Sequence, residues 1–210
     1  MRVTLAVEIA PAAVPDGVQL LLESDFERAV QLAEGELLVF AQRGALLCDG
    51  WLQGVLRAHR LGWAAVGPSV RASGTTPMAS AFQRLCFGAW AAPAAPQPHS
   101  RLPLGLSSYK LPVLRTLPAQ ELGDERRVQR YLGGLGVRLF TDTRVEVTID
   151  SPRTVAEFWR RLQATGRSGH AAPRRWAPPP VSQWPWLALG QLAISLGAIQ
   201  RVFSQASNQR

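Results

Sequence analysis

Lysine is nearly absent from this chain. Lys110 is the only one, and every other residue among the 23 Lys and Arg is arginine. Abundant Ala, Arg, Gly and Pro with so little Lys reads as GC-rich coding rather than selection for nucleic acid. The arginines are scattered, with pairs only at Arg126-Arg127, Arg160-Arg161 and Arg174-Arg175. No basic run and no aromatic-interleaved basic strand is present, so nucleic acid is not an expected partner despite a formal net charge of +8. An anionic membrane surface fits that charge better, because it needs only a basic face beside an apolar element. Cysteine is scarce too: Cys48 and Cys86 form no C-x-x-C and have no histidine at ligand spacing, so a zinc site is not expected. His59, His99 and His170 lie far apart, and His59 reads as a helix-face residue rather than a base. There is no G-x-S-x-G, P-loop or G-x-G-x-x-G, so hydrolase and nucleotide-fold readings have no motif. The first residues lack the charged and apolar regions of a signal peptide, and secretion is not expected.

What is present bounds the architecture. The chain has 210 residues, 47% of them hydrophobic, which suffices for one core and an appendage. Apolar periodicity predicts strands at 2–9, 18–22, 37–41, 63–67, 137–140 and 144–149, with a strand or turn at 104–110. It predicts helices at 25–33, 50–60, 78–90, 111–117, 124–134 and 153–165. Strands alternating with helices at these lengths indicate an α/β fold with a mostly parallel sheet flanked by helices. Ala10 to Gly17 has loop chemistry rather than helix chemistry. The proline-rich stretch 91–103 is long for a compact domain and is a candidate lid.

Residues 1–170 are therefore expected to form one domain, joined by a stiff proline-rich linker, 171–183, to an apolar helix at 184–203. The uncharged stretch from Val181 to Gln200 is about the ~20 residues that span a bilayer, but three glutamines dilute it and Pro185 splits it. Trp184 and Trp186 suit a membrane interface and Arg201 a headgroup layer. The competing expectation is a helix docked on the protein's own apolar face, with Gly190, Ala193 and Gly197 on one side allowing close packing.

The most informative segment is AEGELLVFAQRGALLCDGWL, Ala33 to Leu52. A short helix closes near Gly35, Leu37 to Phe40 form a buried-strand run, and Gly50-Trp51-Leu52 opens a new helix. A strand ending before a polar loop is where open α/β sheets place ligand groups. This segment resembles the family-two glycosyltransferases, which have the GT-A fold and transfer sugars from nucleotide-sugar donors. The pattern A-x-G-E, strand, D-x-D, G-W-L is matched at Ala33, Gly35, Glu36, the strand and Gly50-Trp51-Leu52. The D-x-D that holds a divalent metal falls on Gln42-Arg43-Gly44. The donor would therefore be held by Gln42, Arg43 and Gly44 without metal ligands, Arg43 supplying positive charge to the diphosphate.

Two further blocks follow in the family's order. GLSSYKLPVLRTL, Gly105 to Leu117, resembles the acceptor-side N-x-x-Y-R-R-x-x-L, which makes Ser107, Tyr109 and Lys110, with Trp51, candidate acceptor-binding residues. LGDERRVQRYLGGLGVRLF, Leu122 to Phe140, resembles G-E-D-x-x-L-x-x-R-L-x-x-x-G-x-R with its two acids exchanged. Glu125 then occupies the place of the general base and Asp124 that of its neighbour. The segment Arg144 to Arg167 resembles the strand and helix that end the domain, without its histidine. Only Arg175-Trp176 remains of the processive Q-x-x-R-W, so a processive synthase is not expected. The resemblance covers residues 18–168 and implies one helix fewer than a complete domain at the start.

Three functions follow as expectations. The first is a glycosyltransferase-like enzyme acting on a lipid or saccharide acceptor at the cytoplasmic face of a membrane, bound through 184–203. The second is a non-catalytic relative serving as scaffold or partner of an active enzyme. The third is a basic peripheral membrane module without sugar chemistry.

Overall fold

A computed structural model describes residues 2–7, 18–23, 25–42, 44–92, 96–168 and 180–207. The chain divides into two compact units, residues 1–69 with 92–147, and residues 70–91 with 148–210. The expected loop at 10–17 and most of the linker at 171–183 lie outside the described residues.

The first unit is built on a mixed sheet. Its strands are β1 (Val3–Val7), β2 (Val18–Leu22), β3 (Leu37–Ala41), β4 (Ala45–Leu47), β5 (Ala65–Ala72), β6 (Gln97–His99), β7 (Ser108–Lys110) and β8 (Leu139–Ile149), the far ends of β5 and β8 running on into the second unit. The strand order is β2-β1-β3-β7-β5-β8-β4, with β6 also on β8. β1 runs parallel to β2 and β3, whereas β7 is antiparallel to β3 and β5, and β6 to β8. The parallel character predicted from strand and helix alternation thus holds around β1, and β7 reverses it.

Helices α1 (Phe26–Leu32), α2 (Trp51–Arg60), α4 (Leu111–Arg115) and α5 (Glu125–Gly134) belong to this unit. Asp25 caps α1 by accepting the Arg28 N–H at 2.8 Å, leaving Phe26 and Val30 to enter the core. That core joins Phe26, Leu38, Phe40, Tyr109, Leu114, Val128 and Leu132. Phe26 stacks on Phe40 with ring centres 4.6 Å apart and meets Tyr109 edge-on at 5.8 Å. Every residue of β3 is buried, as a strand covered on both faces requires.

Two glycines of the Ala33–Leu52 segment have structural reasons. A Cβ at Gly35 would stand 2.9 Å from the Arg2 carbonyl oxygen, so only glycine lets this turn seat against β1. Gly50 holds φ at +78° immediately before Trp51, where a side chain would be strained.

In the second unit, α3 (Pro77–Phe87), α6 (Val155–Ser168) and α7 (Trp184–Ser207) pack together. Thr76 caps α3 through the Ala79 N–H, with Pro77 in the first turn. The α6–α7 crossing is close enough to be a backbone contact. A Cβ built on Gly166 would collide with the Ile194 carbonyl oxygen, and one on Gly197 would collide with that of Gln163. Gly190 fits against Leu85, Leu162 and Phe158. The helix at 184–203 is thus seated on its own unit through the small residues Gly190, Ala193 and Gly197. Its opposite side leaves Trp184, Leu192, Leu196 and Ile199 exposed. No described helix is long and apolar enough to cross a membrane.

Three differences from the sequence reading have local causes. β4 is three residues long, too short to show periodicity. β8 is one strand rather than two, because the polar interruption at Thr141 and Asp142 is buried, Asp142 accepting both Nε and Nη2 of Arg144 at 2.9 and 2.7 Å. β5 continues through Gly67-Pro68, residues that ordinarily end a strand.

Candidate functional site around Glu125

The helix α5 begins with two acids in opposite roles. Asp124 is the N-cap: its side chain accepts the backbone N–H groups of Arg126 at 2.7 Å and Arg127 at 3.0 Å, and remains more than half exposed. Glu125 points inward. Its Oε2 accepts the Gly105 N–H at 2.5 Å and its Oε1 accepts the Tyr109 hydroxyl at 2.7 Å. Gln129, one turn along, donates to the same hydroxyl at 2.8 Å and accepts the Leu102 N–H at 2.8 Å. One face of α5 thereby fastens the loop from Leu102 to Gly105 to the start of β7.

Burial pushes the Glu125 carboxyl up from 4.5 to about 7, against the lowering effect of the Gly105 and Tyr109 hydrogen bonds. A carboxyl poised there exchanges a proton near neutrality, as a general base must. Burial also drives Tyr109 well above its ordinary value, and the neighbouring carboxylate adds to it.

The loop after β3 joins this cluster. Gln42 donates its backbone N–H to the Gly105 carbonyl at 2.7 Å and accepts the Ala45 N–H at 3.1 Å across a turn that includes Gly44. Gly105 itself needs φ of +70°, and a Cβ there would stand 3.1 Å from the Gln42 Cβ. Gly105 therefore bridges Gln42 and Glu125. Arg43 lies outside the described residues.

A divalent cation does not fit this donor set. Gln42 has both backbone groups committed, Gly44 offers no side chain, and Glu125 is biased toward its neutral form with both oxygens bonded. Among the described residues no three His, Cys, Asp or Glu side chains gather closely enough to hold a metal.

The other candidate residues divide by burial. Ser107 is fully buried and donates to the Pro103 carbonyl at 2.8 Å, and Tyr109 is fully buried in the network above. Lys110 closes β7 half-buried, its N–H on the Ala64 carbonyl. Trp51 is buried at the first turn of α2. Gln129 is the functional residue that sequence reading missed. A polar residue four after Glu125, between the core positions Val128 and Leu132, was the available signal.

A second buried polar pair sits nearby in the sheet. His59 Nδ1 lies 2.8 Å from the Trp63 carbonyl oxygen and Nε2 lies 2.9 Å from Ser108 Oγ. The carbonyl requires a proton on Nδ1, so the neutral ring presents Nε2 as acceptor. Burial lowers the imidazole from 6.5 to about 4, opposed by the Trp63 bond and aided by Lys110. Ser108 is buried and also lies 3.2 Å from the Val66 carbonyl oxygen. This arrangement ties α2 to the sheet.

No known family matches the sequence, and no curated protein matches it. Among solved structures the chain is similar to one described as "Crystal Structure of a Mycobacterial Protein", with 11% identity over 87% of this chain and 81% of that one and a TM-score of 0.38. That likeness is too distant to carry an argument about fold or function.

Proposed function

We propose that this chain is a glycosyltransferase-like protein of the GT-A type, transferring sugar from a nucleotide-sugar donor to a membrane-proximal lipid or saccharide acceptor. The observation that carries this reading is the junction of Gln42, Gly105 and Glu125. The end of β3, where such a fold presents its donor, is one residue removed from a carboxyl held near neutrality. Glu125 is the base, Asp124 the cap that orients its helix, and positive charge for the leaving diphosphate comes from arginine rather than from a metal. The apolar outer side of α7, with Trp184, Leu192, Leu196 and Ile199, is the element offered to the cytoplasmic face of a membrane.

The test is release of nucleoside diphosphate across a panel of donors with membrane lipid acceptors. Glu125→Gln keeps the size and one accepting oxygen but loses the proton-accepting charge, and turnover should fall by about 10² to 10⁴. Turnover unchanged in this variant would remove the base assignment. A non-catalytic relative is the second reading, favoured by the engagement of both Glu125 oxygens within the protein. Absence of turnover in the wild type across the panel supports that one.

A further inference from the structure

The charge of this chain is divided unevenly. The first unit carries thirteen basic and thirteen acidic residues, whereas the second carries ten arginines against two acids, Asp150 and Glu157, so the whole formal charge of +8 belongs to the second unit. Both of those acids already lie against Arg161. Two of the other arginines stand beside the apolar outer side of α7. Arg160, Gln163 and Arg167 follow at intervals of three and four residues and so share one side of α6. That side meets α7: a Cβ on Gly197 would collide with the Gln163 carbonyl oxygen and stand 3.0 Å from the Arg167 N, and Arg167 Nη1 donates to Gln200 Oε1 at 3.0 Å. Arg160 and Arg167 are both exposed. On α7, Leu196 and Ile199 immediately precede Gly197 and Gln200 and are exposed as well, as is Leu192 one turn earlier. A basic margin and an aliphatic strip thus adjoin within one unit.

We propose that this combined surface docks on an anionic lipid bilayer, with α7 lying in the plane of the interface, Leu192, Leu196 and Ile199 in the acyl boundary, and Arg160 and Arg167 at the level of the headgroup phosphates. The inference rests on the membrane-proximal part of the function proposed above and names the lipid class, and it is independent of sugar transfer. Charge and apolarity together choose the occupant. A second copy of the chain on the same surface would set one +8 unit against another. A nucleic-acid backbone would meet the arginines but leave the aliphatic strip unpaired. A bilayer with anionic headgroups supplies a negative surface and an apolar layer side by side. The orientation follows from packing: Gly190 and Gly197 commit one side of α7 to its own unit, which leaves only the outer side for lipid. Guanidinium groups on long stems can reach phosphate while their methylenes lie along the apolar layer.

The test is co-sedimentation of the full chain with phosphatidylcholine vesicles, with and without phosphatidylglycerol, at low and high salt. Binding is expected to require phosphatidylglycerol and to weaken with salt. An arginine at an anionic surface is worth about fivefold in partitioning, so the double variant Arg160→Gln with Arg167→Gln should bind ~20-fold more weakly. Removing the same charge from exposed positions of the first unit, Arg28→Gln with Arg60→Gln, should change binding by about twofold at most. Leu192→Gln with Leu196→Gln leaves the charge intact and should cost ~10-fold or more. All six positions are exposed, so these variants keep the core. Equal weakening by the two arginine pairs assigns binding to the diffuse field of the chain and overturns the proposal. So does binding indifferent to phosphatidylglycerol, or a dimer in solution that Leu192→Gln with Leu196→Gln dissociates while vesicles go unbound. Nucleoside diphosphate release with a soluble saccharide acceptor is measured on the same proteins: turnover without vesicle binding sinks the docking surface alone, and vesicle binding without turnover sinks sugar transfer alone.

Discussion

The two units of this chain bury different things. The first takes Glu125, His59 and Asp142 out of water and answers each with named partners: Gly105 and Tyr109, Trp63 and Ser108, Arg144. The second, among its described residues, buries no Asp, Glu, Lys, Arg or His. Its Cys86 thiol is pushed by burial up to about 12 and stays neutral, and Arg161 meets Glu157 and Asp150 where water still reaches them. Its tightest contacts are instead places where a side chain is absent, at Gly166, Gly190 and Gly197. Buried ionisable groups need partners of one kind at one distance, and among the described residues they lie in the first unit. Glycine contacts need only room.

That contrast is broken most forcefully in the second unit. Gly197→Leu drives a side chain into the Gln163 carbonyl, and a backbone cannot rotate away as a rotamer can. Overpacking costs typically about 1–3 kcal/mol, and this site should reach or exceed the upper end because two helices must separate. Thermal or denaturant unfolding checks it; a loss below about 1 kcal/mol would show that the crossing relaxes freely.

A pH titration of stability sharpens the first half of the comparison. His59 is lowered to about 4 in the folded chain, so between about pH 6.5 and 4 the unfolded state binds the extra proton and stability falls as the pH falls. Glu125 is raised to about 7, so its contribution is complete below about 4.5 and is lost as the pH rises toward 7. The two slopes oppose each other where they overlap. At 1.36 kcal/mol per unit each amounts to about 3 kcal/mol at most. Glu125→Gln should therefore make stability fall by about 2–3 kcal/mol from pH 7 to 4 relative to the wild-type curve. Identical curves for the two proteins would mean that Glu125 titrates as an ordinary carboxyl.

The smallest effect concerns the cap. Asp124→Ala removes the acceptor for the Arg126 and Arg127 N–H groups and should cost about 1 kcal/mol, within the usual 0.5–2 range. Turnover by any active wild type should change far less than in Glu125→Gln. A rate loss in Asp124→Ala as large as in Glu125→Gln would transfer the base role to Asp124.

Most elements were legible because apolar runs set them. Leu37 to Ala41 and Val18 to Leu22 form the strands read from composition, and α1 and α5 begin one residue after the acids that cap them. Legibility failed where a polar residue is buried against a distant partner. Asp142 looked like a break between strands because its neutralising Arg144 gives no periodic signal. Gln129 was passed over because its partners, Tyr109 and Leu102, lie 20 and 27 residues away. Glu125 was reachable through the resemblance, whereas the direction of its side chain was not. The alternation Val128, Leu132 gave the inward face of α5, and only the fold shows that Glu125 shares it.

The position of β7 has a consequence for how the molecule comes into being. Three residues, Ser108 to Lys110, stand between β3 and β5, with Leu38 opposite Tyr109 and Ala65 opposite the same tyrosine. A growing chain therefore makes both neighbouring strands long before the one that joins them, and each keeps an unpaired edge of N–H and C=O groups until synthesis passes residue 110. Assembly of the sheet waits on its shortest central piece. A chain arrested before Ser108 should show rapid hydrogen exchange along the edge of β3 at Leu38 and the edge of β5 at Ala65 alike, and protection of either edge there would show that the order of assembly is different.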